Sequence, residues 1–413
     1  MPFALLRHGL RRNHVPWRVI PKTPDLKPAY DVVIIGGGGH GLACAHHLAR
    51  DHGITDVAVL EKGWLAGGNT ARNTAIIRSN YLTPEGVRFY DAGMDLWRGL
   101  SNDLDINVMF SKRGHLTLAH TDAAVRTMRW RAEVNKHEGV KSELVWPDDI
   151  ARLCPQMNLS QDVRYPVLAA LYHEPGAIAR HDAVAWGYAR SAAAAGVEIH
   201  QGTEVTALDV EGGRVQAVHT NRGTVRANKV LQVVAGNSSR VAALAGLTLP
   251  IRTVPLQACV SEPVKPILDP IIVSGSLHVY ISQSARGEFV MGGSTDPWPL
   301  YRSRSSLDFP ETLFADMLEL FPFLHQARML RQWAGLADMT PDFSPVMGKT
   351  PLDNYYIDAG WGTWGFKATP IAGKTMADCI AHDRPGELIA PFGLDRFARL
   401  ALVGEKGAAS VGH

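Results

Sequence analysis

Three glycines near the start of the chain have a spacing that could hold a diphosphate. They read Gly36-x-Gly38-x-x-Gly41 and stand between a short apolar run and a helix-like run. Gly36 allows a tight turn, Gly38 lets a pyrophosphate approach the backbone, and Gly41 lets the following helix pack closely on the strand. The N–H groups and partial positive charge of the helix N-terminus then face the phosphates. The spacing therefore predicts a site for a pyrophosphate-containing cofactor.

The elements that must position these glycines complete a strand–helix–strand unit. A β-branched run at 32–35 predicts a buried strand, 42–51 predicts a helix, and 57–60 predicts a second strand that ends at Glu61. Glu61 can accept hydrogen bonds from ribose hydroxyls, and its charge disfavours a 2′-phosphate. The unit thus predicts binding of a dinucleotide other than NADP, although Glu61 alone does not separate FAD from NAD.

The composition of the 413 residues is that of an ordinary globular protein. Apolar residues make up 46% and charged residues 20%, and the net charge is +2; the length favours two domains. This balance offers no case for a nucleic-acid partner, and no apolar run is long enough to span a membrane. Four scattered cysteines without a CxxC pair indicate buried thiols in a reducing compartment, so we expect a cytoplasmic protein.

No group of residues has the spacing of a metal site, and we expect none. The densest histidine cluster consists of His40, in the phosphate loop, and of His46, His47 and His52. The last three are predicted to lie on a solvated helix face, without an acid or cysteine to complete a ligand shell. Residues 1–29 are basic and contain several prolines, which predicts an extended arm rather than a signal peptide, with a mitochondrial presequence as the alternative.

Beyond the dinucleotide unit, helical patterns give way to short strands. An Ala-rich helix is predicted at 182–195, a hairpin that turns at Gly212 and Gly213 follows it, and a strand is predicted at 229–234. From 250 to 294, short strands separated by turn residues indicate an antiparallel sheet. We assign that sheet to a substrate domain.

Three further motifs extend the pattern over nearly the whole chain after residue 30. They are GGNTARNTAIIR at 67–78, TPDFSPVMG at 340–348 and GWGTWGFKATPIAGK at 360–374. Together with the glycine motif they resemble the glycine and D-amino-acid oxidase family of flavoproteins. The resemblance implies an α/β fold in which a Rossmann-like FAD-binding domain is interleaved with an antiparallel-sheet substrate domain. The expected division is a basic arm at 1–29, an FAD-binding domain at 30–110, 171–250 and 333–400, a substrate domain at 111–170 and 251–332, and a tail at 401–413.

The same resemblance assigns residues to the FAD site. They comprise the phosphate loop, the ribose acid, the loop after it, one strand residue and two glycines near the C-terminal end: Gly36, Gly38, His40, Gly41, Glu61, Asn69, Thr70, Arg72, Val205, Gly362 and Gly365. The last two glycines would present backbone N–H groups to the pyrimidine edge of the flavin, where negative charge develops on reduction. The alternative for this pair is a plain turn between a strand and a helix.

Two cations, Arg78 and Lys367, are the expected substrate ligands. The resemblance aligns both with a clamp for an amino-acid carboxylate, and an arginine suits a carboxylate bidentately while a lysine adds a point charge. Arg78 follows an apolar triplet and Lys367 stands between Phe366 and Ala368, which are poor surroundings for an exposed charge. Tyr280, in the predicted substrate sheet, is a candidate for the pocket wall, with a core position as the alternative.

His173 is the expected site of a second flavin. It stands in YHEPGAIARHDAVAWGYA, at 172–189, which resembles the beta subunits of bacterial heterotetrameric sarcosine oxidases. In those subunits the corresponding histidine carries covalent FMN, and such a bond requires a neutral ring that the flavin can reach. The alternative is a loop histidine without a role.

Two departures from single-chain sarcosine oxidases agree with a second flavin. No cysteine precedes Thr340 to tether FAD, so FAD is expected to be noncovalent. Val290 falls where those enzymes carry a lysine that activates oxygen, so electrons would pass to another flavin instead.

The resemblance implies oxidative demethylation of sarcosine to glycine. Hydride would go to FAD, electrons to FMN and then O2, and the one-carbon unit to tetrahydrofolate in a partner subunit. The implied partners are alpha, gamma and delta subunits of a heterotetramer. Two alternatives stay open: a subunit of a dehydrogenase for another secondary amino acid, such as proline, hydroxyproline or an opine, and a flavin-bearing structural subunit.

Overall fold

A computed structural model describes Leu10 and residues 23–406 of the chain. The helices are α1 (Gly39–His52), α2 (Pro84–Asp103), α3 (Asp122–His137), α4 (Pro147–Leu153), α5 (His181–Ala194), α6 (Ser238–Leu244), α7 (Asp308–Leu320) and α8 (Gly365–His382). Most of the predicted N-terminal arm and the end of the predicted tail lie outside the described residues. Within the described part, no helix is long and apolar enough to cross a membrane.

The strands form two large sheets and one small one. They are β1 (Ala29–Ile35), β2 (Val57–Glu61), β3 (Ile76–Ile77), β4 (Ser111–Lys112), β5 (His115–Ala119), β6 (Glu143–Val145), β7 (Ala169–His173), β8 (Ala177–Ile178), β9 (Glu198–Gln201), β10 (Val205–Glu211), β11 (Arg214–Thr220), β12 (Gly223–Gln232), β13 (Arg252–Pro263), β14 (Ile271–Ser274), β15 (Val279–Gln283), β16 (Glu288–Thr295), β17 (Met329–Met339), β18 (Val346–Lys349) and β19 (Tyr355–Ala359). The small sheet has the order β3-β8-β4.

The first large sheet contains the dinucleotide unit. Its strands β9, β2, β1, β12 and β19 run parallel, and the β10–β11 hairpin extends it through β12, with β18 beside β19. The β-branched run Val32–Ile35 is almost wholly buried, as expected for a strand covered on both faces. The predicted strand–helix–strand unit and the hairpin turn at Gly212 and Gly213 are confirmed.

Helix α1 packs against α5 and α8 on one face of this sheet. The prediction that its later histidines lie on a solvated face is wrong for two of them, because His46 and His47 are only 2% and 8% exposed. The His46 ring bonds the Ser191 hydroxyl on α5 at 2.8 Å. No local sequence pattern predicts that α5 and α8 pack against α1. The sequence therefore suggested that this face of α1 was exposed to solvent.

The second large sheet has the order β17-β13-β16-β15-β14-β5-β7-β6. All its pairs are antiparallel except β14 with β5, which confirms the predicted antiparallel sheet. Helix α7 packs on its core side through Phe309, Leu313 and Met317.

Two predicted domain boundaries need to move. Those before residues 171 and 333 fall inside strands β7 and β17, which hydrogen-bond to β5 and β13 of the second sheet. Because both strands pair over their length within the second sheet, they belong with the substrate sheet. The remaining division stays a prediction.

Candidate functional site

A cavity of about 560 Å³ is lined by residues of both large sheets. The phosphate loop and Asp358 of β19 contribute from the first sheet, and β5, β13, β15 and β17 contribute from the second. Many of the residues expected at the site share this cavity: Gly38, His40, Asn69, Thr70, Arg72, Arg78, Tyr280, Gly362, Gly365 and Lys367. Gly36, Gly41, Glu61, His173 and Val205 are not among its lining residues.

The glycine loop is shaped by contacts that a side chain would block. Gly36 has a φ of +119°, and a Cβ there would lie 2.3 Å from the Val233 carbonyl oxygen. A Cβ on Gly41 would lie 2.1 Å from the Gly36 carbonyl oxygen. The N-cap of α1, Gly38, supplies no side chain to the helix N–H groups. The loop therefore fits a cofactor pyrophosphate, which needs close approach to the backbone.

The segment after β2 is held against the phosphate loop and β17. The Thr70 hydroxyl accepts a hydrogen bond from the Gly39 N–H at 3.0 Å. The Asn69 amide bonds Leu336 twice, donating to its carbonyl at 2.6 Å and accepting from its N–H at 2.9 Å. Arg72 donates to the carbonyls of Gly67 and Gly68. These hydrogen bonds fix the conformation of the segment, which forms part of the cavity wall.

Glu61 lies at the end of β2, next to the phosphate loop. Its carboxylate accepts from the Gly37 N–H at 3.0 Å and from the Gly63 N–H at 2.8 Å. Its carbonyl accepts from the Thr203 N–H at 2.8 Å, which brings the start of β10 and Val205 to the same end of the sheet. A ribose role for Glu61 and a cofactor contact for Val205 stay predictions.

Arg78 and Lys367, 289 positions apart, both line the cavity and are each only 7% exposed. The Arg78 guanidinium donates to the carbonyl and side-chain oxygens of Asn80, both at 3.0 Å, and lies 4.5 Å from the centre of the Tyr81 ring. The Lys367 ammonium lies 3.5 Å from the Thr363 carbonyl oxygen. Burial, together with the charge of Arg78, lowers the pKa of Lys367 well below 10.5. The two positive charges therefore repel each other in a poorly solvated space.

Asp338, a buried residue of β17, holds the segment that leads into α8 through its backbone carbonyl and its side chain. The Gly362 N–H donates to the Asp338 carbonyl at 3.1 Å, and the Gly360 N–H donates to the Asp338 side chain at 2.7 Å. Gly362 has a φ of +52°, which favours glycine. Burial raises the pKa of Asp338 to about 6. Helix α8 begins at Gly365, which lines the cavity, and the helix has no side-chain cap.

Two polar residues of β5 line the cavity and were missed from the sequence. His115 and Thr117 alternate along the strand and so share one face. Burial, followed by the charge of Arg78, lowers the pKa of His115 well below 6.5. Tyr280 of β15 also lines the cavity, with its ring against Gly292, where an added Cβ would lie 2.0 Å from the hydroxyl. The alternation of polar and apolar residues along β5 is the sequence pattern from which His115 and Thr117 could have been predicted.

His173 lies at the end of β7, opposite His115 in the β5–β7 ladder. Its ring is fully buried, with Nδ1 2.9 Å from the Lys141 carbonyl and Nε2 3.3 Å from the Ser79 backbone N. The carbonyl can only accept and the N–H can only donate, so Nδ1 carries the proton and Nε2 carries the lone pair. Burial lowers the pKa of His173 to about 3. The ring is thus neutral, but it is enclosed rather than on an open loop.

The expectation for Val290 is corrected by the geometry. Val290 pairs with Val260 and Ser282 in the second sheet, but it is not among the residues that line the cavity. Leu256 and Ala258 of β13 line the cavity instead. Register within a β-sheet decides which face a residue occupies, and local sequence pattern does not specify that register.

Comparisons with known proteins identify the family of the chain. The family described as DAO, FAD dependent oxidoreductase, matches residues 31–379. The chain is 49% identical over 391 residues to sarcosine oxidase subunit beta of Arthrobacter sp., covering 95% of this chain and 96% of the relative. It is 46% identical over 411 residues to the subunit of the same name from Rhodobacter capsulatus, covering 100% and 99%. The structure of L-proline dehydrogenase from P. horikoshii has a TM-score of 0.86 at 27% identity, covering 92% and 100%.

The fold and the cavity define an FAD-dependent, amine-oxidising flavoprotein. The chain belongs to the FAD-dependent oxidoreductase family, and its resemblance to sarcosine oxidase beta subunits is confirmed at 45–49% identity over nearly its full length.

Proposed function

We propose that this chain oxidises sarcosine and that Arg78 and Lys367 hold the substrate carboxylate. The supporting observation is the placement of two buried cations on one cavity. Two like charges in a poorly solvated space raise each other's energy, and an anion between them removes that cost. A carboxylate satisfies both, since arginine can bind it bidentately and lysine can add a point charge.

The neighbouring groups suit a small amino acid that enters as a zwitterion and reacts with its amine in the neutral form. FAD, when bound, supplies the acceptor for the hydride from the carbon next to nitrogen. His115 has a depressed pKa and stays uncharged, so it adds no positive charge that would oppose an incoming ammonium. Helix α8 begins at Gly365, which lines the cavity, and its backbone N–H groups would stabilise negative charge on the reduced cofactor.

A dehydrogenase for another secondary amino acid is the second candidate. The observation that favours it is the similarity to L-proline dehydrogenase at 27% identity. The two candidates are separated by a panel of sarcosine, proline, hydroxyproline and N,N-dimethylglycine, each followed by flavin bleaching under anaerobic conditions. We expect sarcosine to have the highest kcat/KM; a higher value for proline would favour the second candidate.

We further propose that FAD is noncovalent and that FMN is attached to His173. Nε2 of His173 carries the lone pair that would form the bond to the flavin. The depressed pKa of His173 keeps this nitrogen unprotonated. The ring is covered by Lys141 and Ser142, and Lys141 is joined to Glu174 by an exposed ion pair at 2.7 Å. This cover lies on the Nδ1 side of the ring, so a flavin that bonds Nε2 must displace the Ser79 N–H.

Acid precipitation of the purified protein tests the two attachments separately. We expect FAD in the supernatant and FMN in the pellet, on a peptide containing His173. A His173→Asn variant is expected to keep FAD and lose the pellet colour. A colourless wild-type pellet would remove the FMN assignment and leave the amine oxidation untouched.

The partner proposals follow from the names of the relatives, which are beta subunits. We propose that the chain assembles with alpha, gamma and delta subunits and that tetrahydrofolate bound by one of them accepts the one-carbon unit. Co-expression and size-exclusion chromatography test the assembly. Formation of methylene-tetrahydrofolate at the expense of free formaldehyde tests the transfer.

A further inference from the structure

His40 occupies an unusual position at the start of the phosphate helix. It is the second residue of α1 and lines the cavity. Its Nδ1 lies 3.0 Å from the Asp358 carboxylate at the end of β19, and its Nε2 lies 2.7 Å from the Gly365 carbonyl at the start of α8. One ring therefore connects the phosphate helix to the strand before the Gly362 turn and to the helix after it.

Both partners of the ring are acceptors. A carboxylate oxygen and a backbone carbonyl cannot donate, so both bonds form together only when both ring nitrogens carry hydrogen. The geometry thus requires an imidazolium. Burial opposes the charged ring, but the charge and hydrogen bond of Asp358 outweigh it and raise the pKa of His40 above 6.5.

A cation at this point is unfavourable for the protein alone. The N-terminus of a helix carries partial positive charge, which repels a cation in its first turn. Asp358 offsets part of this repulsion, but its other oxygen also accepts from the Trp361 indole. The remaining positive potential is suited to an anionic ligand at the same loop, and the family's dinucleotide carries a pyrophosphate.

We propose that His40, as an imidazolium, is a positioning residue for FAD: it ties the Trp361–Gly365 turn to the phosphate helix and sets how tightly the dinucleotide is held. The inference does not depend on which amine is oxidised. The other titratable groups near the ring are Asp338 of β17, whose pKa of about 6 makes it negatively charged over most of the tested pH range, and Cys44, one turn further along α1, whose pKa burial raises. Neither removes the need for a charged His40.

The rate of FAD release tests the proposal without a turnover assay. The purified protein with its bound FAD is diluted into buffers from pH 6 to 9.5, and flavin fluorescence is followed. We expect release to accelerate as the pH rises through the pKa of His40, because the ring then loses its charge. His40→Gln keeps a donor but no charge, and should release FAD about tenfold faster at pH 6 with little dependence on pH.

A second histidine provides a matched control. His52, at the other end of α1, pairs with Asp378 of α8 at 2.8 Å and thus joins the same two helices away from the cavity. His52→Gln should keep the wild-type release rate and pH profile. An equal acceleration in both variants would mean that only helix packing was weakened, and would overturn the proposal.

Asp358→Asn gives a test that does not require replacing His40. Without the carboxylate the imidazolium is less stable, so the acceleration of FAD release should begin at a lower pH than in the wild type. A wild-type release rate that is constant from pH 6 to 9.5, or a profile that Asp358→Asn does not move, would contradict the proposal.

Discussion

The backbone N of Ser79 lies 3.3 Å from Nε2 of His173, and the residue before Ser79 is Arg78, which lines the cavity. The proposed carboxylate ligand, Arg78, is therefore adjacent in sequence to the residue whose backbone N–H contacts the proposed flavin attachment site, His173. The Ser79 hydroxyl also donates to Asp91 of α2 at 3.0 Å, which anchors the segment. A change in the substrate cavity can thus reach His173 through a single, fixed stretch of backbone.

Removing the charge of Lys367 should impair catalysis through substrate binding. Lys367→Met keeps most of the side-chain volume but removes one of the two cations, so kcat/KM for sarcosine is expected to fall about 10- to 100-fold. The effect should lie mainly in KM, measured by steady-state kinetics. Lys374→Met is the control, because Lys374 is on the same helix but pairs with Asp51 at the surface. Equal kinetics for Lys367→Met and the wild type would contradict the clamp.

The carboxylate site should weaken at alkaline pH. The pKa of Lys367 is depressed by burial and by Arg78, so the ammonium loses its proton, and with it an attraction for anions, well below pH 10.5. Acetate, which has no amine to titrate, is therefore expected to bind more weakly as the pH rises. Its dissociation constant can be measured from the perturbation of the flavin spectrum. In Lys367→Met this alkaline loss should be absent.

Breaking the ion pair between Arg396 and Asp342 should destabilise the fold. Both side chains are 1% exposed, and the guanidinium contacts the two carboxylate oxygens at 2.8 and 2.9 Å. Arg396→Ala leaves a buried carboxylate without its partner, so the free energy of unfolding should fall by about 3–5 kcal/mol. The exposed pair of Arg399 and Asp395 is the control, and Arg399→Ala should change urea unfolding by less than about 1 kcal/mol.

Acid should destabilise the protein through buried neutral histidines. Burial lowers the pKa of His46 to about 4, so between pH 6.5 and 4 the unfolded chain binds a proton that the folded chain does not. The free energy of unfolding therefore falls as the pH falls through this window. His46→Gln should reduce that loss in urea unfolding measured at pH 7, 5.5 and 4.5. The exposed His325 is the control, and an unchanged slope in His46→Gln would contradict the account.

Local sequence pattern was sufficient to predict most of the dinucleotide unit. Glycine spacing, a β-branched run and a terminal acid act within about 30 residues, where backbone sterics and helix geometry decide the outcome. The antiparallel second sheet was also predictable from its short strands and turn residues. The domain boundaries near β7 and β17 were not, because strand pairing joins segments far apart in the chain.

The sequence by itself determined the family, the FAD-binding unit and the identity of the two cations. Only the tertiary structure decided that Arg78 and Lys367 share a cavity, that His173 is enclosed, that Val290 does not line the cavity and that His40 bridges Asp358 and Gly365. The reason is physical: residue type sets what a group can do, whereas its pKa and its partners depend on burial and on neighbours that chain folding brings from hundreds of residues away.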